Sequence, residues 1–127
     1  MTLTKLSKIG GDVKRGIIAY GRLPLMLTRN CPVKNGSSCE ECKGRGFLTD
    51  RMGIKFPVTC SFGCSEVLNS RPVYMADRLS EIKNMDFITL YFTKESPESV
   101  NAVIDAYRKQ KKTSGEFTRG LYYRDVQ

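Results

Sequence analysis

The stretch FITLYFTKESPESVNAVIDAYRKQKKTSG, residues 87–115, carries two periodicities in succession. Its first six residues are β-branched and aromatic, a run short enough for a buried strand. From Ser96 the pattern changes. Ser96 suits an N-cap and Pro97 the first helical position. Val100, Val103, Ile104 and Tyr107 then recur at i, i+3, i+4 and i+7, which is one face of a helix. Arg108, Lys109, Lys111 and Lys112 complement the C-terminal dipole, and Gly115 is placed to stop the helix. A strand feeding a helix is the building unit of an α/β fold, and its parallel strands need neighbours.

Working outward, Ala76, Leu79 and Ile82 recur every three residues, as on one helix face, after the short strand candidate RPVYM. Nearer the N-terminus, residues 17–20 of VKRGIIAYGRLPLML form a β-rich run broken by Gly21 and Pro24. Few further parallel strands are visible. The chain therefore reads as a piece of an α/β fold. Between the two halves, GFLTDRMGIKFPVTC predicts a hairpin with strands at 47–49 and 54–58. Asp50 and Gly53 bound a turn of type I character, which also accounts for Asp50-Arg51. Asn69-Ser70 reads as turn residues ahead of a proline-restricted step.

The hairpin returns the chain towards NCPVKNGSSCEECKGRG, residues 30–46. Five cysteines follow the pattern C-x7-C-x2-C-x17-C-x3-C, at Cys31, Cys39, Cys42, Cys60 and Cys64. Core cysteines sit in apolar runs, whereas the first three here lie among Gly, Ser, Lys and Asn. A catalytic thiol needs a base or an electropositive pocket to lower its pKa, and the chain has 0 histidines. Metal ligation is the reading that remains, because Cys39 and Cys42 can bind one centre and a metal-bound thiolate needs no base. Four thiolates suit zinc or an iron–sulfur cluster equally, and two close pairs, Cys39/Cys42 and Cys60/Cys64, would serve zinc.

Composition narrows the function classes. The 127 residues make one domain's worth of chain, and 40% hydrophobic with 27% charged content is ordinary for a soluble protein. No apolar run approaches the roughly 20 residues of a membrane helix, and the first residues lack a signal-peptide pattern. The expected compartment is the cytoplasm, where clustered cysteines bind metal more often than they form disulfides. A net charge of +8 favours a polyanionic partner such as RNA. The absence of histidine removes Ser-His and Cys-His pairs and every His-containing metal site.

The segments YGRLPLMLTRNCPVKNG, LTDRMGIKFPVTC, VLNSRPVYMADRLSEI, LYFTKE and TRGLYYRDV resemble, in the same order, segments of the peptidase U32 family, the collagenase-like proteins. The resemblance covers residues 17–126. It implies a partial TIM-like (β/α) barrel segment with a cysteine-rich loop and β-hairpin insertion. Residues 1–127 would form one domain, the C-terminal portion of a U32-type domain, with 28–66 as its cysteine-rich metal-binding segment. Members of the family hold a 4Fe-4S cluster, and several hydroxylate RNA bases or a quinone precursor; others were named proteases. The resemblance implies Cys31, Cys39, Cys42 and Cys60 as cluster ligands, with Cys64 as the alternative, and it favours iron–sulfur over zinc. The rest of the barrel would be supplied in cis or in trans, and the isolated chain is expected to be inactive.

Three further residues are candidates for chemistry. Arg22 would face an anionic substrate or stabilise the cluster, or else form a strand-end ion pair. Arg119 would bring its guanidinium to a phosphate or carboxylate, or lie in a solvated tail. Glu95 follows a strand end, where barrels carry their active sites, and it would equally favour the next helix's N-terminus. The chain has no HExxH and no GxSxG, so proteolysis has no recognisable machinery.

Overall fold

The computed structural model describes residues 1–34 and 38–124. Residues 35–37, within the cysteine-rich segment, and 125–127, within the last recurring motif, lie outside the described residues. In chain order the elements are helix α1 (Leu3–Ser7) and strands β1 (Gly16–Gly21) and β2 (Pro24–Thr28). Then come helix α2 (Cys39–Cys42) and strands β3 (Phe47–Thr49), β4 (Lys55–Ser61), β5 (Cys64–Leu68) and β6 (Val73–Tyr74). A 3₁₀ segment (Ala76–Ile82), strand β7 (Phe87–Tyr91) and helix α3 (Pro97–Arg108) complete the described chain. The fold is mixed α/β. Its strands form a three-stranded and a four-stranded sheet, and no closed barrel is present among the described residues. The elements group into two compact units, Met1–Gly21 with Pro72–Gln127, and Arg22–Arg71.

In the first unit β1 is the central strand, antiparallel to β6 and parallel to β7. Gly21 closes β1 with φ 137°, and a Cβ there would lie 2.3 Å from the Tyr91 carbonyl oxygen. Only glycine allows the two strands to stay that close. Helix α3 begins as expected, with the Ser96 hydroxyl accepting from the Ser99 N–H and Pro97 at the first position. It ends earlier than Gly115. Gln110 takes the left-handed position at φ 51°, while the Lys111 and Gln110 N–H groups return to the carbonyls of Ala106 and Tyr107. That is a Schellman ending with glutamine in the usual glycine place. The predicted helix over Ala76, Leu79 and Ile82 is a 3₁₀ segment, whose three residues per turn align an every-third pattern more closely than an α-helix does.

Tyr107 ties this unit together. Its ring is buried, and it lies edge-on to Tyr20 and Tyr74 with centroids 6.3 and 5.5 Å away. Its hydroxyl donates to the Ala19 carbonyl at 2.5 Å and accepts from the Met75 N–H at 2.9 Å. One side chain of α3 thus bridges β1 and the end of β6, and burial pushes the phenol's pKa well up.

The second unit is an antiparallel sheet in the order β2-β5-β4-β3. Proline starts β2, which is an edge strand and so needs no N–H at that position. The β3–β4 hairpin forms as expected, with Leu48 opposite Phe56. Its turn is fixed by Asp50, whose carboxylate accepts from the N–H groups of Met52 and Ile54 at 2.8 and 2.9 Å. A second hairpin follows, with β4 and β5 joined by Phe62-Gly63. Among the described residues the buried apolar side chains of this unit are Pro57, Val58, Val67 and Leu68.

Replacing Tyr107 by Phe keeps the packing but leaves the buried Ala19 carbonyl and Met75 N–H without a partner. The expected loss of stability is about 2–4 kcal/mol, since each orphaned group costs roughly 1–3 kcal/mol. Urea denaturation monitored by circular dichroism measures it. A loss under about 0.5 kcal/mol would show that neither bond matters.

Candidate functional site

The cysteines arrive from four places in the second unit. Cys31 follows β2 and opens a turn in which the Lys34 N–H donates to its carbonyl. Cys39 and Cys42 occupy the single turn of α2, three apart and therefore on one side of it. That turn is held by a capping box. The Ser38 hydroxyl accepts from the Glu41 N–H at 3.2 Å, and the Glu41 carboxylate accepts from the Ser38 N–H at 3.3 Å. Cys60 lies near the end of β4, directly opposite Ser65 of β5, and Cys64 starts β5.

These elements bring the thiols around shared space. Cys31, Cys39, Cys42 and Cys60 line a cavity of about 110 Å³ together with Val33 and Lys34. A larger, more open cavity of about 630 Å³ shares Cys31, Cys39 and Cys60 and adds Cys64, Arg29 and Lys34. Cys42 lines only the first and Cys64 only the second. All five cysteines are free.

Ser65 is the residue that sequence reasoning missed. It is 3% exposed, and its hydroxyl lies 3.5 Å from the Cys60 sulfur. The Ser65 side chain also acts on Cys31. That interaction, helped by the Val33 N–H, lowers the Cys31 thiol's pKa below its ordinary value. A thiol held towards thiolate is prepared for a soft metal. The only signal for Ser65 is its cross-strand register with Cys60, which appears once the second hairpin is recognised.

The donor chemistry fits a thiolate-bound centre, with four sulfurs and no carboxylate among the described lining residues. Among the described residues, however, no three Cys, Asp or Glu side chains are placed to hold one metal ion. The thiols surround a space and do not close on a point.

The other candidates are engaged by their own chain. Arg22 donates from Nη1 to the carbonyls of Asn69, at 3.1 Å, and Ser70. It ties the start of β2 to the strand-exit segment after β5. Glu95 accepts from the N–H groups of Thr93 and Lys94 at 2.8 and 3.1 Å and from the Tyr20 hydroxyl at 3.2 Å. Arg119 makes a two-pronged pair with Asp77 at 2.6 and 2.9 Å, and Nη1 also reaches the Tyr74 carbonyl at 2.7 Å. The carboxylate that Arg119 meets belongs to this protein. No helix of the described residues is long and apolar enough to cross a membrane. No family model, curated protein or solved structure compared with the chain matches it.

The Arg119 guanidinium, by hydrogen bonding, holds the Asp77 carboxyl below its usual pKa. A depressed carboxylate pKa means stability that is present above the unfolded value near ~4 and is lost as pH falls through the folded value. Asp77→Asn is expected to cost about 1–2 kcal/mol at neutral pH, with the gap from the parent protein closing below about pH 4. Thermal melts across that range measure it. A gap that stays constant into acid would remove the ion pair from the account.

Proposed function

We propose that this chain is the cluster-bearing part of a peptidase U32-type, collagenase-like protein, and that Cys31, Cys39, Cys42 and Cys60 hold a 4Fe-4S cluster. The whole would serve an enzyme that hydroxylates or otherwise modifies RNA or a small molecule in the cytoplasm. The observation that carries this reading is the cavity walled by those four thiols. Sulfurs spread around a space suit a polynuclear centre, because each thiolate then binds a different iron. A zinc ion instead requires all four sulfurs at about 2.3 Å from one point. The partial TIM-like barrel is supported by the parallel β1–β7 pair and by α3 following β7, the strand–helix unit of such barrels. The remaining barrel strands would come from elsewhere in the same polypeptide or from a partner.

When bound, a cluster of this kind supplies one-electron redox chemistry. The chain's own residues do the rest. Ser65 orients Cys31 and Cys60 through its hydroxyl. Lys34, on the wall of both cavities, sets positive charge beside a thiolate cluster and favours anionic substrates. Peptide hydrolysis has no such support. With 0 histidines there is no imidazole base, and a centre closed by four thiolates leaves no open position for water.

Anaerobically purified protein is expected to contain roughly four iron and four sulfide per chain and to absorb broadly in the visible. Serine at Cys31, Cys39, Cys42 or Cys60 should remove most of that absorbance, while Cys64→Ser should leave it near the parent level. Stoichiometric zinc without visible absorption would overturn the cluster.

A further inference from the structure

The turn joining β4 to β5 is built from the wrong residue for its shape. Ser61 pairs with Cys64, so Phe62 and Gly63 are the two central residues, with φ 52° and 74°. Positive φ at both positions is the type I′ turn, which favours Asn or Asp before Gly. Phenylalanine there crowds its Cβ against the backbone. Packing does not compensate for the strain, because Phe62 is 103% exposed. Neither turn chemistry nor burial accounts for an aromatic ring at this tip.

Its surroundings do. The residues on either side of Phe62, Ser61 and Gly63, line the larger cavity, as do Arg29, Lys34 and three of the proposed cluster ligands. Neither Arg29 nor Lys34 makes an ion pair among the described residues. The unit carries eight Lys and Arg against four Asp and Glu over residues 22–71. An outward aromatic face on a turn whose neighbouring residues share a cavity with two cations that make no ion pair matches one chemistry well. A nucleobase stacks on the ring while its phosphates run along the charges.

We infer that Phe62 is a stacking platform for a base of single-stranded RNA, with Arg29 and Lys34 holding the backbone, so that a neighbouring nucleotide lies at the cysteine cavity. The inference rests on the RNA-modifying reading above and assigns its substrate contact. A strained residue kept for binding has a distinctive signature. Phe62→Asn restores the preferred Asn-Gly turn, so it should stabilise the fold while weakening the ligand.

The test uses the full chain, purified anaerobically, and a labelled short oligouridylate followed by fluorescence anisotropy. Phe62→Asn is expected to melt about 3–5 °C higher, to keep the parent visible spectrum, and to bind about tenfold more weakly. Phe62→Tyr keeps the ring and should bind as the parent does. Joint replacement of Arg29 and Lys34 by Gln should lower the slope of log affinity against log salt by about 1–2. Equal RNA affinity for the parent and Phe62→Asn overturns the inference and leaves the RNA reading standing. A parent protein that does not bind the oligouridylate overturns both. Anionic vesicles binding the parent but not Phe62→Asn, with RNA affinity unchanged, would assign the ring to a lipid surface and overturn the inference as well.

Discussion

The second unit depends on something other than apolar burial to hold its shape. Over residues 22–71, Pro57, Val58, Val67 and Leu68 are its buried apolar side chains among those described. Segments of this size normally need disulfides or a metal to stay folded. The five thiols form no disulfide. What the sheet does supply is register. Antiparallel pairing sets Cys60 opposite Ser65, and the tight Phe62-Gly63 turn brings Cys64 back beside Ser61. Backbone hydrogen bonds thus place sulfurs that lie far apart in the sequence around one cavity.

Charge is arranged differently in the two units. In the first, Arg119 and Glu95 are both satisfied by groups of the same unit. A bidentate guanidinium pair at a partly buried site orients a segment more than it binds a ligand, since its hydrogen-bonding fork is already filled. Arg22 acts alike within the second unit, closing its two ends through backbone carbonyls. These side chains hold the fold in place. Arg29 and Lys34, by contrast, make no ion pair among the described residues; they flank the first cysteine and line the cavity it shares with Cys60.

The sequence made some of this legible and hid the rest, for identifiable reasons. Helix α3 announced itself through Ser96, Pro97 and a four-residue apolar face, and the β3–β4 hairpin through Asp50 and Gly53. Those signals are local. Strand β2 was obscured because Pro24 looks like a breaker, yet an edge strand tolerates proline at its start. Strand β5 was obscured because Phe62-Gly63 is a poor turn sequence, and the residue that makes it poor is the one whose exposure needs explaining. The turn of α2 carried a readable mark in Ser38-x-x-Glu41, the capping-box pattern, which three surrounding cysteines and glycines masked. Gly115 looked like the helix stop, but Gln110 takes the left-handed position instead, because the charged run after Arg108 contributes no further apolar face to bury.

Helix α2 shows why cysteine placement and local order belong to one equilibrium. A single turn of four residues is far below the length at which a helix stands by its own propensity. Its capping box satisfies two backbone donors but buries nothing, since neither Cys39 nor Cys42 is fully covered. In the proposed reading, binding by Cys39 and Cys42 supplies what burial does not, and the energy of ligation becomes folding energy for this segment. Ser65 extends the same coupling across the sheet, because the hydroxyl that steadies Cys60 also draws the Cys31 thiol towards its ionised form. Loss of any one ligand would therefore loosen α2 and the turn after β2 together, and the cavity they enclose would lose its walls before the strands lost their pairing.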